Sequence, residues 1–101
     1  MALTKIATVA ELTPGKGKQV VVGGKTIAVF HDGTAIFAID GICPHRGAPL
    51  AEGICRDGQV MCPWHSARFD LTTGAHLCPP AQSGVKAYPV LVSAADVQID
   101  I

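Results

Sequence analysis

The chain has 101 residues, about the length of one domain, and 49% of them are hydrophobic while only 16% are charged. This balance excludes intrinsic disorder, because enough apolar surface is available to build a core. Eight basic residues offset eight acidic ones and form no basic run, so the composition also argues against binding to nucleic acid or to a membrane surface.

Turn signals separate short runs of β-forming residues along the whole chain. Strands are predicted over residues 5–9, 19–22, 25–31, 34–40, 54–55, 59–62, 68–71, 75–77, 85–92 and 97–101. The strand over residues 34–40 is apolar on both faces, so we expect it to be covered on both. One helical turn is predicted after Thr8, where Thr8 and Glu11 fit a capping box. Such a series of short strands predicts an all-β fold, a sandwich or a barrel-like form.

The N-terminal segment, residues 1–5, lacks the apolar core of a signal peptide. No apolar run approaches the roughly 20 residues that span a bilayer. We therefore expect a cytoplasmic protein, whose thiols stay reduced and free to bind a metal. The four cysteines would form two disulfides in a secreted mini-protein, but nothing in the sequence indicates secretion.

Two short loops carry the residues with metal-binding chemistry. The first contains Cys43 and His45, the second contains Cys62 and His65, and 16 residues separate His45 from Cys62. Each loop offers one thiolate and one imidazole, and a proline in each stiffens the turn. Two thiolates on one iron and two imidazoles on the other are the ligands of a [2Fe–2S] cluster of mixed ligation. The alternative is one tetrahedral zinc ion, although the C-x-H spacing is cramped for zinc.

These C-x-H and C-x-x-H loops, together with Gly47, Gly53 and the run Arg68-Phe69-Asp70, resemble the Rieske iron–sulfur proteins. More narrowly, they resemble the small soluble Rieske-type ferredoxins, and the resemblance extends over nearly the whole chain. It implies one [2Fe–2S] cluster per chain, held by the two cysteines and two histidines of the loops. It also implies the Rieske fold, an antiparallel β sandwich in which residues 1–101 form a single domain with a small cluster-binding subdomain at about residues 41–77.

The resemblance implies an electron carrier and not an enzyme. By this likeness the chain takes single electrons from a flavin-dependent NAD(P)H reductase and passes them to a terminal oxygenase of aromatic-ring catabolism, docking near His45 and His65. Arg46 and Arg68 either meet an acidic patch of that partner or are ordinary solvated arginines. A terminal oxygenase itself needs a large catalytic domain with a 2-His-1-carboxylate iron site, for which the chain is too short. The small subunit of an assimilatory nitrite reductase, which has similar loops, is an alternative.

The type of ligand sets the charge of the cluster and therefore its potential. The charges of two ferric ions, two sulfides and two thiolates sum to zero. The mixed-ligand cluster therefore accepts an electron more readily than an all-cysteine cluster does. High-potential Rieske proteins carry a disulfide between the loops, and a serine and a tyrosine that donate hydrogen bonds to sulfur. By resemblance, Ala48 and Trp64 replace the disulfide cysteines here, Ala67 replaces the serine and Phe69 the tyrosine. A low-potential carrier is implied, near the bottom of the range of about −150 to +300 mV.

Other cysteines and histidines lie outside the ligand pattern. Cys55 and Cys78 are expected to be small buried side chains. His31 ends a predicted strand and is expected at the surface. His76 follows a turn near the second ligand loop and is a candidate neighbour of the cluster.

Overall fold

The structure is a computed structural model that describes residues 3–33, 35–42, 49–61, 68–75, 77 and 85–100. Within these residues it contains ten strands, all paired antiparallel, and two short 3₁₀ turns. The strands are β1 (Leu3–Thr8), β2 (Lys16–Val22), β3 (Lys25–His31), β4 (Ile36–Asp40), β5 (Ile54–Arg56), β6 (Gln59–Met61), β7 (Arg68–Asp70), β8 (Ala87–Tyr88), β9 (Val90–Ser93) and β10 (Asp96–Asp100). The first 3₁₀ turn is Val9–Glu11 and the second is Leu50–Glu52. The predicted all-β class is confirmed.

The strands form three sheets with hydrophobic cores on both sides of the middle one. The middle sheet has the order β2-β3-β4-β8, the outer sheet β1-β10-β9, and the small sheet β5-β6-β7. Successive residues of a strand point to opposite faces. Phe30 and Ile39 therefore join the core under the small sheet, and Val29 and Ala38 join the core under the outer sheet. The prediction that the strand over residues 34–40 is covered on both faces is confirmed.

Local turn signals position the hairpins. Gly23-Gly24 joins β2 to β3 and Asp57-Gly58 joins β5 to β6, with φ values of 55° and 81° in the first turn and 55° and 74° in the second. Positive φ at both central residues is the type I′ geometry that hairpins favour. The predicted capping pair also forms, since the Thr8 N–H donates to the Glu11 carboxylate at 2.7 Å.

Proline divides a strand that was predicted to be continuous. The sequence predicts one strand over residues 85–92, but the structure has β8 and β9 on either side of Pro89. Proline has no N–H to donate, so it interrupts a ladder. As a result β8 pairs with β4 in the middle sheet, whereas β9 pairs with β10 in the outer sheet.

The strand predicted over residues 75–77 is not found at Ala75 or Leu77, the two of these residues that the structure describes. Two backbone hydrogen bonds nevertheless join this segment to β7. The Asp70 N–H donates to the Ala75 carbonyl at 2.8 Å, and the Leu77 N–H donates to the Arg68 carbonyl at 2.7 Å. No helix in the described part of the chain is long and apolar enough to cross a membrane.

Candidate metal centre

The base of the first predicted ligand loop is closed by backbone pairing. Ile42 and Pro49 form an antiparallel bridge, and the Leu50 N–H donates to the Gly41 carbonyl at 2.8 Å. The chain therefore leaves the end of β4 and returns beside it, with residues 43–48 between these two points.

The base of the second predicted loop is closed in the same way by the small sheet. Strands β6 and β7 pair with Met61 opposite Arg68, and residues 62–67 connect them. One step further into the sheet, Val60 and Phe69 are opposite each other, fully buried in the core. Phe69, which by resemblance takes the place of a tyrosine, is thus a packed core residue.

Gly53 brings the two loop bases together. An added Cβ at this position would overlap the carbonyl oxygen of Met61 and lie 3.1 Å from that of Leu50. The φ of Gly53 is −76°, which any residue adopts. Glycine is therefore needed at this position because it has no Cβ, and not because of its backbone freedom. Leu50 follows the first loop and Met61 precedes the second. The bases of the two predicted ligand loops are therefore adjacent in the fold.

A second close contact fixes the 3₁₀ turn that follows the first loop. A Cβ added at Gly17 of β2 would lie 2.5 Å from Cε1 of Phe30 and 2.7 Å from the carbonyl oxygen of Ala51. Leu50 and Ala51 are buried at this contact. The turn is thus held against the middle sheet on one side and the small sheet on the other.

Asp40 lies at the end of β4, the strand that leads into the first loop. Hydrogen bonds connect it to Lys86 and Tyr88, at and just before β8. The Tyr88 hydroxyl donates to Oδ1 at 2.7 Å and the Lys86 N–H donates to Oδ2 at 3.3 Å. The N–H of Asp40 donates in turn to the Lys86 carbonyl at 2.9 Å, and the Lys86 ammonium lies 5.1 Å from the centroid of the Tyr88 ring. Burial, reinforced by the Asp40 carboxylate, raises the pKa of Tyr88 to about 12.

We expect Tyr88→Phe to change the pH dependence of stability. The folded tyrosine keeps its proton up to about pH 12, whereas in the unfolded chain its pKa is near 10.0. The folded state binds more protons in this window, so the tyrosine makes stability fall as pH rises from about 10 to about 12. Because Tyr88 is the only tyrosine in the chain, the fall in Tyr88→Phe should be shallower. Urea denaturation of both proteins across this window measures the slopes, and equal slopes would contradict the raised pKa of Tyr88.

Cys55 and His31 are the one cysteine and the one histidine that the structure describes, and both already have other partners. Cys55 is fully buried under the small sheet, with its Sγ 3.4 Å from the carbonyl oxygen of His31. Burial raises the pKa of the Cys55 thiol, which disfavours the thiolate that a metal needs. His31 is half-buried, and its Nδ1 accepts the Gly33 N–H at 3.0 Å. The prediction of a small buried side chain at Cys55 is confirmed.

No group of three or more His, Cys, Asp or Glu in the described residues is placed to hold a metal. The predicted ligands lie outside the described residues: Cys43, His45, Cys62 and His65. So do other predicted site residues: Arg46, Ala48, Trp64, Ala67, His76 and Cys78. The two segments with adjacent bases each supply one sulfur and one nitrogen donor. This donor set fits a [2Fe–2S] cluster shared between two loops.

Comparison with known proteins agrees with the donor set of the two loops. Residues 2–89 match the family described as the Rieske [2Fe-2S] domain. The 3-phenylpropionate/cinnamic acid dioxygenase ferredoxin subunit of Photorhabdus laumondii is 40% identical over 95% of this chain and 91% of its own length. The solved ferredoxin of carbazole 1,9a-dioxygenase from Nocardioides aromaticivorans IC177 has a TM-score of 0.90 and 32% identity, covering 98% of this chain and 97% of that one. A chain in the complex of reduced oxygenase and oxidized ferredoxin in carbazole 1,9a-dioxygenase has a TM-score of 0.86 and 26% identity, covering 96% and 91%.

Proposed function

Since the chain belongs to the Rieske [2Fe-2S] domain family, we propose that it is a ferredoxin that carries single electrons from an NAD(P)H-dependent flavoprotein reductase to a terminal ring-hydroxylating oxygenase. The observation that carries this proposal is the likeness to dioxygenase ferredoxins over nearly their whole length, 91% of the Photorhabdus laumondii subunit. The structural likeness to a ferredoxin in complex with its oxygenase supports an oxygenase as the electron acceptor. The reductase is inferred from the kind of system to which these relatives belong.

The proposed ligand assignment gives each iron one kind of donor. Cys43 and Cys62 would hold one iron of the cluster, and His45 and His65 would hold the other. The adjacent loop bases support this assignment, and the family match favours the cluster over the zinc alternative. When bound, the cluster supplies one-electron redox chemistry. The chain closes both loops at their bases and packs Phe69 in the core beneath the small sheet.

We propose a domain organisation that follows from the same arrangement. Residues 1–101 form one domain, and its cluster-binding subdomain extends over about residues 41–77. The small sheet and the second 3₁₀ turn lie within this range, and their own core joins them to the middle sheet. The cytoplasmic location stays a prediction.

We expect Ala67→Ser to raise the midpoint potential of the cluster. A hydroxyl that donates to a cluster sulfur stabilises the reduced form, which carries the additional negative charge. A hydrogen bond of about 1.5 kcal/mol to a charged group corresponds to roughly 60 mV for a one-electron couple. An EPR-monitored redox titration measures the shift. Ala67→Val is the control without a donor, and an equal rise in both variants, or none in Ala67→Ser, would contradict this explanation of the low potential.

Reconstitution of electron flow tests the proposed function. The reductase and terminal oxygenase are purified from the organism that produces this chain, and oxidation of the aromatic substrate is followed with NAD(P)H present. Product formation should require all three proteins, and the reduced chain should be reoxidised by the oxygenase. Equal turnover without this chain would exclude the carrier role. Stable co-purification with a large sirohaem subunit would instead support the nitrite reductase alternative.

A further inference from the structure

The segment from Val85 to Tyr88 contacts a strand or turn next to each of the two ligand loops. It pairs through β8 with β4, the strand that leads into the first loop. Its Val85 N–H donates to the carbonyl of Gly74 at 2.7 Å, in the turn that follows β7. Strand β7 begins directly after residues 62–67, which form the second loop. We call residues 85–88 the brace, since they connect the surroundings of both loops.

The brace lies very close to the turn that follows β7. A Cβ added at Gly74 would overlap the carbonyl oxygen of Val85 and would lie 3.3 Å from the nitrogen of Ala87. The turn is itself attached to β7, because the Gly74 N–H donates to the carbonyl of Asp70 at 2.7 Å. No side chain fits between the turn and the brace, so a shift of one must move the other.

At its other end the brace is held by the side chain of Asp40. The ladder between β4 and β8 ends at the pair Ile39 and Ala87. The Asp40 carboxylate extends this attachment, because it accepts the Lys86 N–H at 3.3 Å and the Tyr88 hydroxyl at 2.7 Å. Tyr88 is only 5% exposed, and a buried hydroxyl needs a partner. A charged acceptor makes this hydrogen bond stronger than one between neutral groups.

The residue after Asp40 passes this position on to the first loop. The Gly41 N–H donates to the Thr26 carbonyl at 2.9 Å, and the Gly41 carbonyl accepts the Leu50 N–H that closes the base of the loop. A Cβ added at Gly41 would lie 2.9 Å from Cγ2 of Thr26, so the backbone here is packed tightly against β3. The hydrogen bond of Asp40 therefore acts on the backbone directly before the loop closure.

The relative position of the two loops matters because, in the proposed assignment, each iron takes one ligand from each loop. Groups that orient the ligands of a metal centre tune its affinity and its electronic properties. We propose that Tyr88, acting through Asp40, is a positioning residue that fixes the first ligand loop relative to the second. The proposal rests on the proposed function. It assigns this role to the hydroxyl of Tyr88, whereas the ring packs in the core under the outer sheet.

Tyr88→Phe tests the proposal, because it removes the hydroxyl and keeps the ring. Release of iron from the cluster-loaded protein to an excess of chelator should become about tenfold faster, the factor that corresponds to loss of one hydrogen bond to a charged group. The g values of the dithionite-reduced cluster should shift in the EPR spectrum. Asp40→Ala should have a similar effect. In the Asp40→Ala background, Tyr88→Phe should change the release rate by less than about twofold, since both substitutions remove the same contact.

Asp32→Ala is the matched control for Asp40→Ala, because it makes the same change in charge and also removes a carboxylate that joins distant segments. Its Oδ1 accepts the Ala35 N–H at 2.8 Å and its Oδ2 accepts the Gly58 N–H at 2.9 Å. These contacts precede β4 and β6, whereas the two ligand loops follow the other ends of these strands. Asp32→Ala should keep the wild-type g values and release iron within about twofold of the wild-type rate, even where urea denaturation shows an equal loss of stability.

Three results would overturn the positioning role and leave the carrier role intact. They are wild-type g values and release rate in Tyr88→Phe, equal acceleration of iron release by Asp32→Ala, and full multiplication of the two single effects in the double variant. The absence of a [2Fe–2S] EPR signal in the reduced wild-type protein would instead remove the proposed function, and the positioning role with it.

Discussion

His65→Ala should leave the protein without its mixed-ligand cluster. The substitution removes one of the two nitrogen donors of the proposed histidine-bound iron, and the described residues offer no grouped donors that substitute for it. Because binding of a metal centre is coupled to folding of its site, loss of the cluster should also lower the stability of the protein. Iron and acid-labile sulfide should fall from about two of each per chain to near zero. The EPR signal of the dithionite-reduced protein should disappear with them.

His31→Ala is the matched control for this prediction. His31 is half-buried, with its Nδ1 held by the Gly33 N–H at 3.0 Å. It pairs with Ile36 at the start of β4, whereas the base of the first predicted loop follows the opposite end of that strand. The variant should keep its full content of iron and sulfide. A native EPR spectrum in His65→Ala would overturn the ligand assignment, and so would equal loss of the cluster in both variants.

Gly53→Ala should separate the bases of the two ligand loops. Its Cβ would overlap the carbonyl oxygen of Met61, a backbone atom that moves only if β6 shifts. Overpacking of this kind costs about 1–3 kcal/mol of stability. Because the shift falls between the loops, we expect lower cluster occupancy as well as lower stability. Urea denaturation and iron content measure the two effects.

Gly58→Ala separates this steric effect from a general cost of replacing glycine. Gly58 has φ of 74°, so alanine is strained there by roughly 1 kcal/mol, but no atom lies within 4 Å of the added Cβ. This variant should be modestly less stable and fully loaded with cluster. The account of Gly53 would be wrong if Gly53→Ala kept the same iron content as Gly58→Ala.

Local features of the fold could be predicted because their physical causes are local. Paired turn residues such as Gly23-Gly24 adopt positive φ in a two-residue hairpin regardless of what the strands contact. The Thr8–Glu11 pair likewise involves residues three apart. The donor residues stay a prediction from the sequence, which rests on thiolates and imidazoles in two short loops, a combination that suits few centres other than a mixed-ligand cluster or zinc.

Features that depend on distant parts of the chain could not be predicted. The effect of Pro89 was missed because a proline between two β-forming runs does not reveal that the runs belong to different sheets. The hydrogen bond from Tyr88 to Asp40 joins residues 48 positions apart, and no spacing rule indicates it. The need for glycine at position 53 arises from Met61, which approaches only in the folded chain.

Pulsed EPR of the dithionite-reduced protein tests the central claim most directly, since it detects nitrogen nuclei coupled to the unpaired electron. A sample labelled with ¹⁵N only at histidine assigns any coupling to imidazole. The proposed assignment predicts two histidine nitrogens coupled to the reduced cluster, from His45 and His65. A reduced cluster without histidine nitrogen coupling, or a colourless protein that contains zinc and no labile sulfide, would contradict it.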